Sequence, residues 1–175
     1  MRIPTICTPL LFALTITLSV NSFTPAHAQD MAPSLNLKTA QTIRDGCLTY
    51  AKANNLSMAI AIYDAHGQLK TFTRMDGTSL GTAKAAHWKA LSAATYQYTT
   101  AQTAQWNVPT APDIATSRGG IPIKTNDGKA LGGIGVSGAA SSIDELCAHA
   151  GLKAADKLLG AENNTDDAST KSIED

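Results

Sequence analysis

Gly132-Gly133-Ile134-Gly135-Val136-Ser137-Gly138 is the stretch whose reading decides the fold. Gly133, Gly135 and Gly138 fit the pattern G-x-G-x-x-G, a helix-like run follows, and Asp156 stands about 20 residues on, where a dinucleotide site places its ribose-binding acid. Such a fingerprint must open a βαβ unit. Here Asn126-Asp127-Gly128, a strong hairpin turn, comes just before it. The strand Lys129–Ser137 is therefore expected to pair antiparallel with its predecessor. No second strand follows, because the chain turns acidic after Leu159. The glycines read as structural. Gly132, Gly133 and Gly135 mark a bulge or the close approach of another backbone or a flat ligand, and Gly138 eases the turn into the next helix.

Working outward, apolar spacing predicts a helix over Asn36–Asn54, with Leu37, Ala40, Ile43, Cys47, Tyr50 and Ala51 on its apolar stripe. Ser57–Asp64 and Gln68–Met75 read as strands joined by the turn Asp64-Ala65-His66-Gly67. Ser79 to about Thr100 reads as a helix, with Trp88, Leu91, Thr95 and Tyr98 on one side and a further short turn over Thr100–Trp106. Val108–Gly120 reads as loop, and Ile121-Pro122-Ile123 opens a third strand. Ser142 with Glu145 predicts a capping box for a last helix, whose inner face carries Cys147, Ala150, Gly151, Ala154 and Leu158. The order α-β-β-α-loop-β-β-α implies a mostly antiparallel sheet covered by helices.

The ends read differently. Residues 1–28 have the form of a secretory leader: Arg2, an apolar run over Leu10–Val20 too short to span a bilayer, and Ala26-His27-Ala28 before Gln29. Residues 29–160 suit one domain, and 161–175 form an acidic tail expected to be disordered. Losing the leader moves the formal net charge from 0 to −1, so nothing points to nucleic acid, and no later run is apolar enough for membrane insertion. Periplasmic or secreted localisation is expected. Outside the leader, Cys47 and Cys147 remain, with no C-x-x-C and no zinc spacing. They are either two buried thiols or a disulfide closing a 100-residue loop, which the chain-entropy argument values at about 4–5 kcal/mol at most.

Several blocks then recur in a familiar order: Ala61-Ile62-Tyr63-Asp64-Ala65-His66-Gly67-Gln68-Leu69, Arg74-Met75-Asp76-Gly77, Lys89-Ala90, Gly119-Gly120-Ile121-Pro122-Ile123, the glycine-rich strand, Asp144-Glu145 and Ala150-Gly151. Together they resemble the GlcG/HbpS family of heme-binding proteins, whose module also ends PduO-type proteins. The resemblance spans roughly Leu37–Leu159. It implies a profilin-like α/β fold: an antiparallel sheet of about five strands, helices on both faces, the first and last helices on the same face, and a homo-oligomer. It also implies heme as cofactor and heme or iron handling as function.

Heme asks for an apolar slot, cations for two propionates and often one axial ligand. His87, beside Trp88 and one turn before Leu91, is the candidate axial and metal ligand, with an ordinary half-buried histidine as the alternative. His66 and His149 read as solvent-facing. Thr95 and Thr99, read as lying on the same helix as His87, are candidate oxygen ligands. Arg74, Lys84, Lys89 and Arg118 are candidate propionate partners, or else surface cations and ion pairs. Ser137 lacks the last glycine of G-x-S-x-G and any triad partner in order, which argues against a serine hydrolase. The sequence thus supports an exported heme-binding protein. The other reading is a non-heme small-molecule-binding or accessory oligomeric subunit, whose glycines would line an oligomer interface.

Overall fold

The computed structural model describes residues 32–108 and 110–160; the expected leader and acidic tail lie outside the described residues. Helix α1 (Leu37–Ala53) starts where Asn36 Oδ1 accepts from the Thr39 N–H at 2.8 Å. Strands β1 (Ala59–Asp64) and β2 (Leu69–Arg74) follow, then α2 (Leu80–Tyr96) and the single turn α3 (Thr100–Thr103). Strands β3 (Gly120–Lys124) and β4 (Ala130–Ser137), then α4 (Ser141–Ala154) and α5 (Asp156–Leu159), complete the chain. The described strands form one antiparallel sheet of four, ordered β2-β1-β4-β3, rather than the expected five or so. Strand β4 is the hairpin partner of β3, as the Asn126-Asp127-Gly128 turn implies.

Strand alternation divides the sheet into two unlike faces. Met58 before β1, then Ile60, Ile62, Ile121, Ile123, Ile134 and Val136, point to α1 and α4 and form the main core with Ala40, Ile43 and Cys147. On that side Cys47 and Cys147 form a disulfide, S–S 1.99 Å, between the first and last long helices. Glycine lets those helices meet there: a Cβ on Gly151 would lie 2.5 Å from the Ile43 carbonyl oxygen.

The other face is nearly bare of side chains at its centre. Ala59, Ala61, Gly133 and Gly135 meet Ala83, Ala86 and Ala90 of α2. A Cβ on Gly135 would stand 2.2 Å from the Ala86 carbonyl oxygen and 2.3 Å from the Ala90 nitrogen. The glycines of the opening stretch therefore receive the backbone of a helix. They line a contact within the chain, not an oligomer interface. The structure also decides which side of α2 faces the sheet. Its small residues face inward, while Trp88, Thr95 and, beyond the helix, Tyr98 are exposed. Helical spacing gave no means of telling these faces apart, because an alanine-rich face carries little hydrophobic contrast.

Gly135→Ala is expected to destabilise the protein by about 3 kcal/mol or more, since the added methyl meets helix backbone that cannot rotate away. Urea unfolding measures it; a loss under about 1 kcal/mol would show that α2 can ride up without penalty.

Candidate functional site

Because α2 sinks onto the centre of the sheet, the larger side chains on this face stand at its flank. A register shift between Ile62 and Tyr63 leaves Lys70 unpaired and sets Leu69 opposite Tyr63. Tyr63, Phe72 and Leu69 therefore share the α2 side of the β1–β2 edge. His87 leans over them from α2. Its ring lies 4.4 Å from that of Phe72, tilted by 31°, and stands edge-on to Tyr63 at 5.8 Å. Tyr63 Oη and His87 Nδ1 are hydrogen-bonded at 2.8 Å. Leu91 extends the same wall toward Gly67, and Trp88, the next residue on α2, is 36% exposed.

Desolvation lowers the His87 pKa below its ordinary value, so the ring is neutral at pH 7. The same cause raises that of Tyr63, which stays a phenol. Neither the Tyr63 nor the Phe72 contact was anticipated from the sequence. The signal was period 2: Tyr63 falls on the face of Ala59 and Ala61, and Phe72 pairs with Ala61.

The remaining candidates scatter. Arg74 lies on the same face of β2 as Phe72, exposed, with its Nε donating to the Thr78 carbonyl at 3.0 Å. Lys84 is exposed one turn before His87. Thr95 is exposed two turns after it. Thr99 is not on that helix, because α2 ends at Tyr96 with Gln97 left-handed (φ 57°). Thr99 instead caps α3 in a reciprocal capping box with Gln102.

Lys89 is not free to meet a propionate. Its Nζ donates to Asp144 Oδ2 at 2.8 Å and to the Val136 carbonyl at 3.0 Å, with side-chain exposures of 3% and 2% for the pair. Asp144 Oδ1 accepts from the Ala139 N–H at 3.0 Å, so the buried carboxylate is satisfied on both oxygens. Arg118 is half exposed, and its Nε donates to Glu145 Oε2 at 2.6 Å. Glu145 therefore makes no capping box with Ser142; α4 begins at Ser141 after Ala140, which offers no side-chain cap. The structure thus places Arg74 and Lys84 on the His87 side of the molecule and commits Lys89 and Arg118 to ion pairs with α4. His66 and His149 are exposed, as expected.

Two outcomes follow from this geometry. Lys89→Ala strands a buried carboxylate and is expected to cost about 3–5 kcal/mol in urea unfolding; a loss below about 1 kcal/mol would mean water reaches Asp144. The His87 ring is expected to titrate below its usual midpoint of about 6.5 by NMR. The unfolded chain then takes up the proton first, so this contribution to stability is complete above about pH 6.5 and lost as pH falls toward the folded value. A midpoint above 6.5 would contradict the desolvated environment.

The sequence model of the family described as "Haem degrading protein HbpS-like" matches residues 35–153. No functionally curated protein matches the chain. Among solved structures, Klebsiella pneumoniae ORFY is 22% identical, with 73% of this chain and 94% of that one covered and a TM-score of 0.67. A PduOC:heme complex is 23% identical over 70% of this chain and 95% of that one, with a TM-score of 0.63. A double mutant of Streptomyces reticuli HbpS is 24% identical over 79% and 95%, with a TM-score of 0.68. These likenesses show a shared fold. With the family match running from before α1 into the last turn of α4, the chain belongs to the HbpS-like family.

Proposed function

We propose that this is an exported heme-binding protein that sequesters or hands on heme, and that the flank of α2 around His87 receives the porphyrin. The observation that carries the reading is the family membership taken together with a half-exposed, neutral imidazole packed against Tyr63 and Phe72. The PduOC neighbour, whose structure is a heme complex, supports the same class of ligand.

The residues suit the group. Among the described residues, no cluster of three or more His, Cys, Asp or Glu is placed to hold a bare metal ion. A porphyrin supplies four nitrogens of its own and asks the protein for one axial donor, an apolar wall and cations at its edge. His87 or its partner Tyr63 can supply the donor. Phe72, Leu69 and Leu91 supply apolar surface, and Arg74 and Lys84 are exposed cations on the same side. Bound there, the heme would contribute iron chemistry; the chain's part is to bind, orient and shield it.

Export is supported by the leader-like residues 1–28 and by the Cys47–Cys147 disulfide, since such bonds persist in oxidising compartments. A homo-oligomer is supported by the exposed Leu69, Leu80 and Trp88 on the α2 side. No helix among the described residues is long and apolar enough to cross a membrane.

Hemin titration of residues 29–175, followed in the Soret region, tests the reading. A saturable, stoichiometric shift is expected, weakened about tenfold or more in His87→Ala. Failure to saturate would overturn heme binding. Saturation untouched by His87→Ala would keep heme and move it off this flank.

A further inference from the structure

The hydrogen bond between Tyr63 and His87 can be made in two ways. Either the ring donates from Nδ1 to Oη, or the phenol donates from Oη to Nδ1. Only the first leaves Nε2 with a free lone pair for a metal. The second puts the hydrogen on Nε2, and the ring is then no ligand at all. The phenolic proton, with a reference pKa of about 10, is far more acidic than the N–H of a neutral imidazole, and imidazole nitrogen is the better acceptor. The second arrangement is the stronger bond.

Resting on the heme reading above, we propose that Tyr63 Oη is the protein's donor to ferric heme iron and that His87 Nδ1 receives the phenolic proton. The exchange balances without any redox partner. The Oη–H bond breaks, an oxygen lone pair goes to iron, and the proton stays on the ring as an N–H pointing back at the oxygen. Ferric porphyrin carries a net positive charge that an anionic oxygen offsets, and oxygen is a harder donor than imidazole. Phenolate is an established axial donor class for heme iron.

Three further observations fit this assignment. The His87 ring packs against Phe72 at 4.4 Å, a contact that favours the rotamer with Nδ1 at the phenol. A ring that gains a proton lies over the face of Phe72 at 4.4 Å, where a cation is attracted to the π-system. Among the described residues Tyr63 is the tyrosine whose hydroxyl meets a base; Tyr96 donates to the Pro112 carbonyl, which can take no proton.

The test uses the purified protein and hemin, with Tyr63→Phe and His87→Ala in parallel. Circular dichroism checks the fold of each, and Phe keeps the ring that packs there. The wild-type ferric complex should show a phenolate-to-iron charge-transfer band and a phenolate mode in resonance Raman. Tyr63→Phe should lose both and bind at least tenfold more weakly. His87→Ala should keep the phenolate signature while binding more weakly, since only the proton acceptor is gone. Reduction to the ferrous state should loosen the wild-type complex and leave any residual Tyr63→Phe complex little changed. A Tyr63→Phe complex with unchanged spectrum and affinity would overturn the assignment. If His87→Ala also abolished that binding, the ligand would be Nε2 and the heme reading would stand. No saturable binding by the wild type would overturn both.

Discussion

Helix α2 lies on the sheet backbone to backbone because Gly133 and Gly135 offer no Cβ to hold it off. Most of what distinguishes this molecule follows from that contact. The helix side of the contact is Ala83, Ala86 and Ala90, and the strand side adds Ala59 and Ala61, so both surfaces are smooth. Such an interface gains little from large apolar side chains. It gains instead from close approach over its whole length, and it tolerates no added methyl. The same approach displaces Tyr63 and Phe72 to the flank, since there is no room for rings beneath the helix. The flank is where His87 meets them. A structural economy in the middle of the sheet thus creates the aromatic and imidazole cluster at its edge.

The opposite face is built by other means. Isoleucines from three strands, with Met58 and Val136, fill the space under α1 and α4. The disulfide then joins those two helices across 100 residues of chain. The two faces are linked at one end of the sheet by the buried Lys89–Asp144 pair, which takes a cation from α2 and an anion from the first turn of α4. A pair so buried repays its desolvation only with good geometry and further hydrogen bonds around it. Here the Val136 carbonyl accepts a second Lys89 proton and the Ala139 N–H donates to the other Asp144 oxygen. With each other and these two backbone groups as partners, Lys89 and Asp144 belong to the architecture, and Lys89 is not part of the flank around His87.

Local pattern carried much of the fold. Turn residues such as Asn126-Asp127-Gly128 and Asp64–Gly67 announced both hairpins, and with them the antiparallel sheet. Stripes at threes and fours announced α1 and α4 and placed both cysteines inward. Local pattern misled where propensity is weak. In the alanine-rich α2, the side carrying Trp88, Leu91 and Thr95 was legible, but not which side meets the sheet. Ser142 and Glu145 have capping-box spacing, yet Arg118, 27 residues away, draws Glu145 into an ion pair instead. Thr99 reads as a continuation of α2 because nothing in its neighbours demands the left-handed Gln97 that ends it.

The sequence by itself determined the elements, their antiparallel pairing, the glycine strand's role as a place of close approach, and the family resemblance. These rest on residues near one another in the chain, where steric and hydrogen-bonding preferences act directly. Tertiary structure alone decided which backbone fills the glycine strand, which cation meets which acid, and which hydroxyl meets His87. Those partners are 24 to 55 residues apart in sequence. They are brought together by the depth to which α2 settles on the sheet, a quantity fixed by packing across the whole domain and legible in no single stretch.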